Sequence, residues 1–350
     1  MLLVVETGPT VPRGLPRPWI AQAGDARLAP AWFRWGMLAF ATWVVLGAYS
    51  DTWAHHHMVL TSVVTPYHAV ILGGLVCEGV FIAWGLRCLG ATRAGWRRCI
   101  PTGYGLAVAG YALAMVAGPL DLTWHLFFGI DQGFGSVTSP THILIGAGTS
   151  MMVTGPMREA WRGSTKRATW ASLLSATQLA AMVFFFDEAT HPLLAPWASR
   201  YYPRMMLPDT AWQLGTVEIV LWSALIAGCI LPLLVRFQLP FGAFSLVLGA
   251  SGALTTLVVA PQPLIIVGLV GGVLADELVR ALRPTRLRVV QFRVFAGLVP
   301  AAMTGVYFLI LSQAGGTWWP VNLWTGCILA SGIAGLVVSL LVLPSGTPET

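Results

Sequence analysis

The chain has 350 residues, of which 56% are hydrophobic and 10% charged, and its mean hydropathy is +0.73. Soluble globular proteins carry about 25% charged residues, so too little polar surface is available to cover a water-facing globule, and a disordered or collagen-like chain is excluded with it. Five cysteines are too few and too scattered for a disulfide-framed secreted scaffold. What remains is an all-α, polytopic membrane bundle.

A helical span needs about 20 apolar residues. In chain order, about ten stretches approach that length: 33–50, 68–87, 103–121, 141–157, 168–187, 212–235, 241–260, 263–281, 292–312 and 320–343. Ahead of them, residues 1–30 are punctuated by Pro and Gly and read as a cytoplasmic arm. Its apolar opening, Met1 to Val5, stops at Glu6 and is too short for the core of a signal peptide, so the first span is expected to act as its own insertion signal. Residues 31–236 read as a bundle carrying three hairpin repeats. Residues 237–350 are rich in Gly, Ala and Val and read as scaffold helices with close packing,. Spans 241–260 and 263–281 are joined only by Pro261-Gln262-Pro263, and they fit either two crossings or one re-entrant unit.

Orientation follows from the basic residues. With both termini cytoplasmic, 18 of the 20 Lys and Arg fall on the inner side, and only Arg200 and Arg204 fall outside. The net charge of +6 is thereby explained as a topology signal, without a nucleic-acid partner. The expected setting is the lipid bilayer of a bacterial-type plasma membrane. Trp53, Trp124, Trp197, Trp212, Trp318 and Trp319 read as an interfacial belt.

Threaded this way, all seven His lie at or just beyond the outer span ends, and the inner face has none. Asp51-x-x-x-His55 closes the first span, Asp121-x-x-x-His125 the third and Asp187-x-x-x-His191 the fifth, spaced by 70 and 66 residues. Two returning helices open with Thr65-Pro66-Tyr67-His68 and Ser139-Pro140-Thr141-His142, while the third offers only Asp209. A motif recurring at such similar spacing reads as an internal repeat of a helical hairpin.

Residues i and i+4 share a helix face. A hydroxyl residue suits the N-cap and Pro the first helical position, which puts His68 and His142 in the first turn of their helices. Each hairpin can then gather one carboxylate and two imidazoles, a three-point nitrogen/oxygen site of the kind that suits copper, zinc or iron. Three protein ligands with an open position are the pattern of a catalytic centre. Taken singly, each Asp–His pair is equally met by a simple ion pair, and each Ser/Thr-Pro by ordinary capping; three copies on one side point to a site. Asp187 and His191 can complete either centre, and one site or several remain open. His56 and His57 are not expected to be ligands together, because neighbours on a helix point different ways. Glu78, mid-span, and Glu218 are intramembrane carboxylates, which are costly and default to function; a proton relay or a protonated structural Glu both fit. Asp276 and Glu277 are expected to pair with Arg280 and Arg283 at i,i+4-type spacing.

Asp121-x-Thr123-Trp124-His125, followed by Ser139-Pro140-x-His142, resembles the C subunit of the copper membrane monooxygenases, the particulate methane and ammonia monooxygenases. The resemblance covers residues 121–142. It implies a copper site near the extracytoplasmic side held by Asp121, His125 and His142, and O2-dependent oxidation of a small or membrane-soluble apolar substrate. No redox domain is visible in this chain, so an external electron donor and partner membrane subunits are expected. Three rival readings stand beside it. One is a metal- or proton-coupled transporter using the outer His/Asp cluster with Glu78 or Glu218; the others are a haem-binding and a purely structural subunit.

Overall fold

A computed structural model describes residues 27–58, 65–92, 95–129, 138–200, 207–259 and 263–344. Most of the predicted arm and the Pro261-Gln262 joint lie outside the described residues. Within them the regular structure is helical, with isolated bridges as the only extended pairing. The helices are α1 (Ala31–His57), α2 (Pro66–Cys88), α3 (Gly105–Phe128), α4 (Pro140–Met152), α5 (Gly155–Arg162), α6 (Trp170–Phe186), α7 (Pro208–Arg236), α8 (Ser251–Val259), α9 (Ile265–Leu282), α10 (Val289–Gln313) and α11 (Val321–Val342).

Each of the ten predicted stretches contains helix among the described residues, and among these six helices are long and apolar enough to cross a membrane: α1, α2, α3, α7, α10 and α11. That marks an integral membrane protein, with fewer span-length helices than the about ten read from hydropathy. The shortfall has local causes. Stretch 141–157 breaks after Met152, where Pro156 lacks the N–H needed to continue a ladder, and α5 starts afresh. Helix α6 has only 17 residues, and α8 is entered through a π turn over Ser245–Ala250. Helix α9 carries Asp276, Glu277 and Arg280 in its last turns.

The outward faces are apolar: Val80, Val116, Leu329 and Leu341 are 61–76% exposed, which in a helical bundle of this composition is a lipid-facing surface. The main core lies in the second half, where Trp222 of α7 and Phe292, Phe295 and Tyr307 of α10 are fully buried. Small residues let these helices close up. A Cβ added at Gly335 of α11 would collide with the Ala296 carbonyl of α10, and Gly252 of α8 sits against Gly268 of α9.

Two anchors tie the first hairpins into the bundle. On the side predicted to be cytoplasmic, the buried Glu159 carboxylate accepts from Ala29 N at 2.6 Å and Arg34 Nε at 2.8 Å, holding the start of α1 to α5. Deeper along α1, Gln178 Nε2 of α6 donates to the Leu38 carbonyl at 3.1 Å, and Tyr49 Oη donates to the Ala181 carbonyl at 2.8 Å. The expected pairing of Asp276 with basic residues is replaced by a capping role. Its two oxygens accept from Phe244 N at 3.0 Å, Ser245 N at 2.9 Å and Ser245 Oγ at 2.7 Å, holding the entrance of the π turn, and Glu277 alone pairs with Arg280.

Candidate metal centre

Helix α1 continues past Asp51 to His57, and α3 past Asp121 to Phe128. Each Asp–His pair is therefore carried on one helical face, as i,i+4 geometry requires. The partner helices start where the Ser/Thr-Pro signal places them. Thr65 caps α2 by accepting from His68 N at 3.1 Å, and Ser139 caps α4 by accepting from His142 N at 3.4 Å. In both, the capping hydroxyl also hydrogen-bonds the ring Nδ1 of the same His, at 2.8 Å for His68 and 2.7 Å for His142. The cap thus holds the imidazole as well as the helix end.

Hairpin packing does the rest. Helix α1 lies along α2, with Gly47 against Ile71 and Gly74 against Val44. Helix α3 lies along α4, where Gly110 and Gly148 face each other so closely that a Cβ at Gly148 would stand 2.8 Å from Ala114 N. Two triads result, Asp51–His55–His68 and Asp121–His125–His142, and within each the donor atoms lie within 4.8 Å of one another.

In the second triad Asp121 Oδ2 is 3.4 Å from His125 Nε2, and Oδ1 is 3.4 Å from His142 Nε2. In the first, Asp51 Oδ2 is 3.6 Å from His55 Nε2, and Oδ1 is 3.3 Å from His68 Nδ1. The second is the more enclosed: the Asp121 carboxylate is buried, and the His125 side chain is only 6% exposed, against 24% for His55.

Two details fit a cation. The His125 ring presents Nδ1 to the Gly129 carbonyl at 2.9 Å, and since a carbonyl can only accept, Nδ1 carries the proton. With Nδ1 so engaged, Nε2 is the ring nitrogen that faces Asp121 Oδ2 at 3.4 Å, where a proton or a metal ion can bridge the two. Donation of the far ring N–H to a carbonyl is the usual support of a metal-bound imidazole. Thr141 Oγ1 also donates to Asp121 Oδ1 at 2.6 Å, steadying the carboxylate. In the first triad, Asp51 Oδ1 is buried and accepts no hydrogen bond despite its ion-pair distance to His68.

The third Asp-x-x-x-His folds differently. Helix α6 stops at Phe186, Glu188–Thr190 form a 3-10 turn, and Pro192 comes next after His191. Asp187 accepts from Thr190 Oγ1 at 2.5 Å, and His191 is fully buried with its ring against Phe184 and Trp222. Neither residue belongs to a triad. Burial pushes the His191 pKa down to about 3, so its ring is neutral. What this segment does bring to the rim is Glu188, hydrogen-bonded to His56 Nε2 at 2.5 Å. His57 turns away, its Nδ1 on the Trp53 carbonyl and its ring stacked on Trp53.

Glu78 is fully buried in α2, with neither oxygen hydrogen-bonded. Glu218 accepts from Trp197 Nε1 at 2.6 Å. The belt expected from the tryptophans is only partial, because Trp319 is 4% exposed against Gly215, and Trp318 Nε1 donates to the Trp197 carbonyl at 2.7 Å. Glu188 is one of the acidic residues that the sequence places at the outer rim, but its pairing with His56, made across 132 residues, carries no sequence signal. The support that Thr141 gives Asp121 is not singled out by the pattern either, although Thr141 lies between Pro140 and His142 in the same first turn.

No family model, curated protein or solved structure matches this chain, and the site is read from its own residues.

Proposed function

We propose that this integral membrane protein binds a transition metal at its outer rim and acts as an oxidoreductase of the copper monooxygenase kind. The observation that carries the reading is the Asp121–His125–His142 triad, with three donors inside 4.8 Å and the His125 ring held at Nδ1 so that Nε2 faces the carboxylate. Two imidazoles and one carboxylate suit copper, with zinc and iron as the other members of that ligand class. Copper bound there would supply one-electron chemistry with O2. The chain's own part is to hold the ligands at fixed distance, to orient Asp121 through Thr141, and to flank the rim with apolar helix ends such as Leu126 and Phe127, 76% and 79% exposed, past which a membrane-soluble substrate can approach. Electrons come from a separate donor, and other membrane subunits complete the system. In this reading both termini are cytoplasmic, the shorter helices complete about ten crossings of a bacterial-type plasma membrane, and the hairpins descend from one repeated unit.

Metal content tests it. Purified full-length protein retains copper, zinc or iron, and Asp121→Ala and His142→Ala lower that content; equal metal in all three proteins removes the reading. A second reading, proton- or metal-coupled transport, is favoured by Glu78, whose buried carboxylate has no hydrogen-bond partner and is costly to keep charged inside a membrane,. It requires uptake into vesicles that collapses in Glu78→Gln.

A further inference from the structure

The six rim ligands fall into two closed sets rather than one set of six. Each triad has its own carboxylate, its own helix-end His and its own returning His, and the mutual distances that define a triad are not met across the two. Yet the sets are neighbours. The helices that carry them form one group, because α2 packs on α3 and α1 on α4 in addition to the pairing within each hairpin.

We infer that the two triads each take one cation and together make a two-ion centre at the rim, an inference that rests on the metal-site reading above. Its occupants are nitrogen/oxygen-seeking transition ions such as copper or zinc. Two carboxylates offset two monovalent ions. Two divalent ions leave an excess of positive charge, which solvent-derived anions such as hydroxide balance at the open positions. Like charges held close in a partly buried place repel, so the ions load in sequence. Asp121–His125–His142, the more enclosed triad and the one with the fixed His125 ring, fills first.

The test is titration of the full-length protein in detergent with copper(II), and in parallel with zinc(II), then desalting, metal analysis and, for copper, electron paramagnetic resonance. The expected result is two ions per chain, the second bound about tenfold more weakly or worse, with a copper signal broadened or diminished by coupling. His68→Gln and His142→Gln each hold one ion and show the spectrum of an isolated copper. One ion per chain, lost in either variant, overturns the pair and leaves a single metal site standing. Two ions of equal affinity with an uncoupled wild-type spectrum also overturn the common centre. Retention of neither metal overturns both this inference and the reading beneath it. The wild-type stoichiometry and spectrum decide without recourse to the variants, so a misfolded variant does not protect the inference.

Discussion

Asp121–His125 and Asp187–His191 have the same spacing in sequence, and the structure treats them oppositely. The first pair stays on a continuous helix and meets a returning His; the second straddles the end of α6, and its His is sunk among aromatic rings. The residues just C-terminal to each Asp make the difference. After Asp121 come seven residues that keep the helix going, Leu122 to Phe128. After Asp187 a 3-10 turn runs into His191-Pro192, and the residue before a proline is steered away from helical backbone, as the extended ψ of 119° at His191 shows. A spacing of four places two side chains together only while the helix lasts.

The largest expected effect separates the two pairs directly. Asp121→Asn weakens metal binding by more than about a hundredfold, whereas Asp187→Asn leaves it unchanged; isothermal titration of both variants checks this, and equal losses would put the third unit back in the site. Next comes the support of the carboxylate. Thr141→Val removes the hydrogen bond to Asp121 Oδ1 and weakens binding about tenfold, while Thr190→Val, which removes the matching bond to Asp187, does not alter it.

A smaller effect concerns acid stability. His191 has its pKa lowered from 6.5 to about 3 by burial, so below pH 6.5 the unfolded chain takes up a proton there that the folded chain refuses. Its neutral burial therefore favours the fold above pH 6.5 and costs stability progressively as the pH falls toward 3. Melting temperatures between pH 7 and 4 are expected to fall less steeply for His191→Gln than for the wild type; identical slopes would show that the ring is not held neutral. The smallest effect is at the edge. His56→Ala breaks the partly exposed pair with Glu188 and changes metal affinity by less than about threefold,.

The two triads are legible as a pattern because their geometry is local: a helix face, a cap and a short return. Their ligands stand 4, 17 and 21 positions apart in one hairpin and 4, 13 and 17 in the other, distances a single helical hairpin closes without help from the rest of the fold. Glu188 beside His56 and Glu159 beside Ala29 and Arg34 are not legible, since each joins segments more than a hundred residues apart. Asp276 escapes i,i+4 reasoning because that reasoning knows only its own helix, whereas the unpaired N–H groups it satisfies belong to the π turn packed beside it.

Composition and hydrophobic run length determined the helical membrane architecture by themselves, because a bilayer leaves backbone polar groups no partner but their own helix. Helix-start chemistry determined His68 and His142 as first-turn residues by the same local logic. Tertiary structure alone decided that His191 is sunk among Phe184 and Trp222, that Glu78 sits without a hydrogen-bond partner, and that the two triads stand as neighbours. Those outcomes depend on which helices pack together, and packing is set by contacts distant in sequence that no local pattern records.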